Sequence, residues 1–139
     1  MFVHVTAVEE VLIGNAVVAQ GNSPSASLAA VFEDDGQTGY FYALDLSSKK
    51  QLIVDAAHIY NVQQVEDRTV PSTIKIGWSA SGQSAVLLIN DYPHAVFDFQ
   101  AKAGYCRTGF PPSSIGSAWS KTGHAWTDEA LGLFKNREP

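Results

Sequence analysis

The sequence has too few cysteines, long apolar runs and basic residues for several classes of protein. Its single cysteine, Cys106, cannot form a disulfide within the chain and is compatible with a reducing cytoplasm. The longest apolar runs, such as residues 85–89, are far too short to span a bilayer. The N-terminal segment has no basic region and is interrupted by Glu9 and Glu10, which is unlike a signal peptide. We therefore predict a cytoplasmic protein with no membrane partner.

Positive charge is scarce and unevenly distributed. The chain has 14 acidic residues against nine Lys and Arg, for a formal net charge of −5. Residues 1–70 contain nine acids and three bases, whereas residues 71–139 contain five acids and six bases. Proteins that bind nucleic acids present a basic surface to the phosphates, so we predict no nucleic-acid partner. An acidic surface favours encounter with a cationic partner, although negative charge also serves simply to keep a protein soluble.

Motifs for metal binding and covalent catalysis are missing as well. The four histidines are far apart and form no HxH or HExxH pair. The run EDDG at residues 33–36 lacks the alternating ligands and the closing glutamate of a calcium loop. The sequence contains no GxSxG, GxGxxG or GxxxxGK[ST] motif. We therefore expect no metal and no cofactor, and a protein that is not an enzyme.

What the chain does have is a series of short apolar segments separated by turn residues, which predicts a β-rich fold. Residues 26–32 and 40–46 flank the sequence EDDGQTG, and Asp-Gly between two such runs is a strong hairpin signal. Apolar and polar residues alternate along residues 73–78 with the period of a half-buried strand. The remaining predicted strands are residues 51–60, 85–89 and 95–99, the last two forming a three-stranded meander with residues 73–78.

One short helix is predicted near the C-terminus. Thr127 is a good N-cap, two acids follow it in the first turn, and Lys135 and Arg137 lie near the end. No alternation of strands and helices supports a doubly wound parallel sheet. We predict one domain, residues 1–139, that is mainly β, either an antiparallel sheet or a sandwich, with this short C-terminal helix. The alternative is an α+β fold.

Cys106 and three aspartates are the isolated candidates for chemistry. Arg107 follows Cys106 and could lower a thiol pKa, but a free cysteine is more often a small buried hydrophobe. Asp55, Asp91 and Asp98 lie in or beside apolar segments. We interpret them as residues at strand ends or turns that accept hydrogen bonds from backbone amides.

Aromatic residues allow a second functional hypothesis. Trp119 and Trp126 either anchor the C-terminal helix to the sheet or lie exposed in a binding site. If either tryptophan lies exposed beside Asp91 or Asp98, the protein is a carbohydrate-binding module or a hydrolase-like enzyme that uses aromatic rings and carboxylates.

Four segments give the chain a resemblance to a known family: FEDDGQTGYFYALD, DAAHIYNV, IGWSASGQSAVLLINDYPHAVFDF and GYCRTGFPP. From about residue 29 to residue 112 the chain resembles a small bacterial family, domain of unknown function 2251. The hairpin and the W-x-x-x-G turn are its most distinctive parts. The resemblance implies a bacterial source and a compact single-domain protein, and it implies no enzyme class.

Small, acidic bacterial proteins of this kind are similar to the immunity proteins that neutralise toxins. Our leading hypothesis is a non-enzymatic protein that binds a protein partner such as a cognate toxin, because an acidic surface can occupy the basic groove of a nuclease toxin. A homodimer that pairs through an exposed sheet edge is a further possibility. The predicted partner-binding residues lie on the hairpin and on the loop after the next strand: Glu33, Asp34, Asp35, Glu66 and Asp67.

Overall fold

The computed structural model describes residues 1–135, which form nine strands and two short 3-10 helices. The strands are β1 (His4–Val11), β2 (Val17–Asn22), β3 (Leu28–Asp34), β4 (Thr38–Asp45), β5 (Ile53–Asn61), β6 (Ser72–Trp78), β7 (Ser84–Ile89), β8 (Tyr92–Asp98) and β9 (Ala103–Cys106). The 3-10 helices are Val62–Gln64 and Asp128–Phe134. Neither of these helices is long and apolar enough to cross a membrane.

The strands form two antiparallel sheets that pack face to face. The five-stranded sheet has the order β1-β6-β7-β8-β9, and the four-stranded sheet has the order β2-β3-β4-β5. Alternate residues of each strand point into the space between the sheets, where the ring of Phe41 from β4 stacks on that of Phe97 from β8 with 5.0 Å between centroids. The prediction of a mainly β fold with a short C-terminal helix is therefore confirmed.

The elements with local sequence signals are found where they were predicted. The hairpin is β3 and β4, with a turn at Asp35 and a positive φ of 95° at Gly36, and the meander is β6, β7 and β8. The helix begins after Thr127, whose hydroxyl accepts a hydrogen bond from the Glu129 amide at 3.3 Å. It is a 3-10 helix, and Arg137 lies outside the described residues.

Two further parts of the chain complete the sandwich. The C-terminal 3-10 helix covers the outer face of the five-stranded sheet, where Ala130 and Phe134 pack with Val86 and Val96. Residues 107–127 run along the side where β5 and β9 lie close together. They are held there by backbone hydrogen bonds from the His58 amide to the Phe110 carbonyl (2.9 Å) and from the Cys106 amide to the His124 carbonyl (3.0 Å). This segment therefore connects the edges of the two sheets.

Candidate functional site

Asp34 does not lie on the surface, although the sequence predicts it as a partner-binding residue. It follows Phe32 by two positions on β3, so it shares the inward-facing side of that strand and is only 1% exposed. Its carboxylate accepts hydrogen bonds from the amides of Gly14 and Gly36, both at 2.8 Å, and from the Tyr60 hydroxyl at 2.7 Å. Burial and the hydrogen bond to Asp34 raise the pKa of Tyr60. Asp34 therefore ties two turns to β5 and is unavailable to a partner.

Glu33 and Asp35, on either side of Asp34, point away from the core. Asp35 is exposed at the hairpin turn, where its Oδ1 accepts hydrogen bonds from the amides of Thr38 and Gln37, each at 2.9 Å. These two hydrogen bonds lower the pKa of Asp35, because they stabilise the charged carboxylate. Asp35 therefore both shapes the turn and carries a negative charge at neutral pH.

Glu66 and Asp67 are exposed on the loop that follows the first 3-10 helix. Asp67 has a positive φ of 52°, and its Oδ1 accepts a hydrogen bond from the Thr69 hydroxyl at 3.0 Å. This loop begins next to the hairpin turn, because the Val62 amide donates a hydrogen bond to the Gln37 carbonyl at 2.8 Å.

A polar cleft of about 550 Å³ separates the hairpin turn from the loop. It is lined by residues of both: Gly36, Gln37, Thr38, Asn61, Val62, Gln63, Gln64 and Arg68. The fold thus brings the hairpin turn and the start of the loop to one end of the four-stranded sheet. We call the four outward-facing acids of this region the acidic end: Glu33, Asp35, Glu66 and Asp67.

The outer face of the four-stranded sheet carries a row of aromatic side chains next to Glu33. In the strand register Glu33 lies opposite Tyr40, and Tyr40 lies opposite His58. The rings of Tyr40 and Tyr42 stack with centroids 5.9 Å apart, and His58 meets Tyr40 edge-on at 5.4 Å. Phe110 continues the row by contacting His58 edge-on at 5.9 Å. We call Tyr40, Tyr42, His58 and Phe110 the aromatic platform.

The aromatic platform is open to solvent and lies in a negative electrostatic environment. Phe110 is 50% exposed, and the other three side chains are half-buried. The Tyr42 hydroxyl donates a long hydrogen bond of 3.5 Å to Glu33 Oε1. Burial and the neighbouring charge of Glu33 raise the pKa of Tyr42, with a smaller contribution from Asp35. This platform was not predicted from the sequence, although Glu33, Tyr40 and Tyr42 share one side of a predicted hairpin.

A second polar cluster, around Asp55, is buried at the side of the sandwich. His124 Nε2 lies 3.0 Å from both carboxylate oxygens of Asp55, and its Nδ1 lies 2.6 Å from the Pro111 carbonyl oxygen. The Ser120 hydroxyl donates to Asp55 Oδ2 at 2.6 Å and accepts from the Gly104 amide at 2.9 Å. Because both ring nitrogens face acceptors, this geometry suits the imidazolium form of His124.

The residue types around Asp55 are those of a catalytic triad, but their arrangement is different. Ser120 donates its hydrogen bond to the Asp55 carboxylate and not to His124, so no histidine is placed to take the hydroxyl proton as in a triad. Burial lowers the pKa of His124, but the hydrogen bonds to Asp55 and to the Pro111 carbonyl outweigh it, so the pKa is raised. These hydrogen bonds therefore hold residues 107–127 against β5. We call Asp55, Ser120 and His124 the Asp55 cluster.

The other candidates from the sequence have structural roles. Cys106 is fully buried, which confirms the interpretation as a small hydrophobe. Trp119 is 9% exposed and belongs to the core between the two sheets, so it is buried but does not anchor the C-terminal helix, whereas Trp126 is half-buried against that helix and has the anchoring role. Asp98 accepts hydrogen bonds from two turn amides, as predicted, and Asp91 pairs with Lys75 at 2.7 Å.

The positions of Trp119 and Trp126 remove part of the support for the second hypothesis, a carbohydrate-binding module or hydrolase-like enzyme with an exposed tryptophan. Trp119 is not exposed, and the indole of Trp126 donates its hydrogen bond to Asp128 at 2.8 Å. Within residues 1–135, no group of three or more His, Cys, Asp or Glu side chains is arranged to hold a metal ion.

Comparison with known proteins identifies the family. Residues 11–135 match the family described as "Uncharacterized protein conserved in bacteria (DUF2251)". The chain belongs to the DUF2251 family. It is 41% identical over 119 residues to an uncharacterized protein of Haemophilus influenzae, and the alignment covers 85% of this chain and 74% of the relative. No solved structure matches this DUF2251 chain. The resemblance noted from the sequence is confirmed.

Proposed function

We propose that this DUF2251 protein is a non-enzymatic binding protein whose acidic end docks on a cationic surface of a protein partner. One observation carries the proposal: among the described residues none of the four acids of the acidic end forms an ion pair, although Arg68 lines the neighbouring cleft. Within residues 1–135 the ion pairs are Lys75 with Asp91 and His124 with Asp55, so none of the four acids is paired. Unpaired surface carboxylates at one end of a sheet attract a basic partner and accelerate its association.

A bacterial toxin with a basic groove is the kind of partner we propose. Such a groove must attract phosphates, so it also attracts a protein surface that presents carboxylates. The net charge of −5 and the lowered pKa of Asp35 keep the acidic end negative at neutral pH. We also propose that the protein acts in the bacterial cytoplasm, in the manner of an immunity protein.

The test compares two pairs of acids with equal charge. Candidate partners are the proteins encoded by neighbouring genes, expressed in inactive form. Glu66→Gln with Asp67→Asn removes two charges from the acidic end, and asparagine suits the positive φ of Asp67. Glu9→Gln with Glu10→Gln removes two exposed charges from β1 and serves as the control.

We expect the association rate constant of the Glu66/Asp67 variant to fall about tenfold at low salt, with a weaker dependence on ionic strength. The Glu9/Glu10 variant should associate with the partner at the wild-type rate. Equal association rates for both variants and the wild type, over the whole salt range, would contradict the proposal.

A further inference from the structure

The aromatic platform and Glu33 together form a site of their own beside the acidic end. Glu33 lies directly opposite Tyr40 across the β3–β4 register, and Tyr42 reaches back to Glu33 with its hydroxyl. On the far side of Glu33, Val18 of β2 is 62% exposed. A carboxylate thus lies between an exposed apolar side chain and two stacked rings.

The chain itself shows which chemical group suits such surroundings. On the outer face of the five-stranded sheet, the Arg107 guanidinium lies 3.8 Å from the ring centroid of Trp126 and 4.7 Å from that of Tyr92. Its Nε also donates a hydrogen bond to the Pro93 carbonyl at 3.0 Å. A guanidinium can do both because it is planar: its faces stack on rings while its edge donates hydrogen bonds.

The aromatic platform has the rings and an acceptor, but among the described residues no Lys or Arg side chain stacks on it. Within residues 1–135 Arg107 is the Lys or Arg residue that stacks on aromatic rings, and it does so on the other sheet. Within the same residues the Glu33 carboxylate forms no ion pair and receives only the long hydrogen bond from Tyr42. A second carboxylate, Asp35, adds to the negative potential at Tyr42. This charge distribution favours a cation and disfavours an anionic ligand.

The rings are already held in place before any ligand arrives. His58 is fixed at both nitrogens, with Nδ1 3.1 Å from the Thr108 hydroxyl and Nε2 2.9 Å from the Asn61 side-chain oxygen. The Tyr40 ring contacts the rings of both Tyr42 and His58. Little side-chain freedom is therefore lost when a ligand binds.

We infer that the aromatic platform and Glu33 bind an arginine side chain of the protein partner, with the guanidinium stacked on the tyrosine rings and paired with the Glu33 carboxylate. This inference rests on the proposed function and names the anchoring group of the partner. Arginine suits the site better than lysine because its fork pairs with a carboxylate through two hydrogen bonds while its face covers a ring.

The experiment uses the full chain and a defined probe, the peptide acetyl-Gly-Arg-Gly-amide, followed by NMR. Peptides with lysine or citrulline in place of arginine separate stacking and hydrogen bonding from charge, because citrulline keeps the shape but is neutral. We expect saturable shifts of the Tyr40 and Tyr42 resonances with the arginine peptide. The affinity should be about tenfold lower for citrulline and intermediate for lysine.

Glu33→Gln should lower the affinity for the arginine peptide about tenfold without changing the fold, which the remaining resonances report. Glu9→Gln is the matched control and should bind like the wild type. Tyr40→Phe should retain binding because the ring face is unchanged, whereas Tyr40→Ala should lose it. Equal binding of arginine and citrulline peptides, or shifts that ignore Glu33→Gln, would overturn the inference.

One other outcome is also decisive. If the platform resonances depend on protein concentration without peptide, a second copy of the chain occupies the platform and the arginine site is refuted. Failure here is distinguishable from failure of the proposed function. The platform is tested with a peptide and Glu33, whereas the function is tested by the salt dependence of partner association with Glu66 and Asp67 changed.

Discussion

The outer faces of the two sheets differ in how they are covered. On the five-stranded sheet, the C-terminal 3-10 helix packs Ala130 and Phe134 over Val86 and Val96. On the four-stranded sheet, the aromatic platform is left half-open, and Phe110 is 50% exposed. The chain thus packs a helix over the middle of one outer face, where Tyr92 at the start of β8 stays 54% exposed, and leaves the aromatic platform of the other face without such a cover.

The two outer faces also differ in the charge that lies beside their aromatic rings. The covered face places a cation, Arg107, between the aromatic rings of Tyr92 and Trp126, whereas the open face places a carboxylate, Glu33, beside Tyr40 and Tyr42. Tyr92 and Trp126 already contact a guanidinium, so they have little further attraction for a cation. Tyr40 and Tyr42 lie beside an unpaired carboxylate and contact no guanidinium of the described residues, so they can still attract a cation. This contrast supports the proposal that the open face receives another molecule.

The largest effect on the free energy of unfolding should come from the Asp55 cluster, because residues 107–127 connect the two sheets there. Asp55→Asn leaves a buried His124 without its counter-charge, which typically costs about 3–5 kcal/mol. The surface pair offers a control: Asp91→Asn breaks an exposed ion pair with Lys75 and should cost less than about 1 kcal/mol. Urea denaturation at pH 6 measures both. Similar costs for the two variants would show that the cluster does not hold the segment.

The Asp55 cluster should also make the free energy of unfolding depend on pH, through the titration of His124. The pKa of His124 is raised in the folded chain, so the folded state binds this proton more tightly than the unfolded state does. The contribution is fully present below the unfolded pKa, about 6.5, and is lost as pH rises through the folded pKa. The free energy of unfolding of the wild type should therefore fall, relative to His124→Gln, from about pH 6.5 upward. A difference that grows with pH would contradict this assignment.

The two outer faces can be compared directly by removing one phenylalanine from each. Phe134 ends the C-terminal 3-10 helix and is fully buried against the five-stranded sheet, so Phe134→Ala should cost about 3 kcal/mol through lost burial and the cavity left behind. Phe110 is 50% exposed, so Phe110→Ala should cost less than about 1 kcal/mol. Urea denaturation of the two variants gives both values. A large loss for Phe110 would mean that the open face is part of the structural core.

Within the hairpin, the buried acid should matter more than the exposed one. Asp34→Asn replaces one acceptor oxygen with an NH2 group that faces N–H or O–H donors, which should cost about 2 kcal/mol. Asp35→Asn keeps the single oxygen that accepts from Thr38 and Gln37, and should cost less than about 0.5 kcal/mol. Thermal unfolding of both variants tests this order. The reverse order would mean that the turn, and not the buried carboxylate, holds the hairpin.

Local signals account for the parts of the fold that the sequence predicted. Asp35-Gly36 and its flanking apolar runs specify a hairpin because the turn and the strand register lie within one short segment. The first and last strands are harder to predict. Residues 8–13 fit either a strand or a helical turn. In β9, Gly104 is required because an added Cβ would lie 2.5 Å from Asp55 Oδ2, a contact invisible from nearby residues.

The site was only partly predictable for the same reason. The predicted hairpin accounts for the outward direction of Glu33, which is half-buried, and of Asp35, which is exposed. The inward direction of Asp34 follows from the parity of β3, which a contiguous acidic run hides. His58 and Phe110 join one platform although 52 positions separate them, and 69 separate Asp55 from His124. The periodicity of a single strand cannot predict these contacts, because they depend on how the two sheets pack.

The smallest of the main effects, below those of Asp55, Phe134 and Asp34, should come from the cap of the helix that covers the five-stranded sheet. Thr127→Ala removes the hydroxyl that accepts from the Glu129 amide and should cost about 1 kcal/mol, whereas Thr127→Ser keeps the acceptor and should be nearly neutral. Because the helix is short, the loss should appear mainly as faster hydrogen exchange of its own amides and of Val86 beneath it. Exchange at Tyr42 on the open face should stay at the wild-type rate. Equal acceleration on both faces would mean that the covering helix and the open face unfold as one unit, and the contrast between them would then be one of exposure alone.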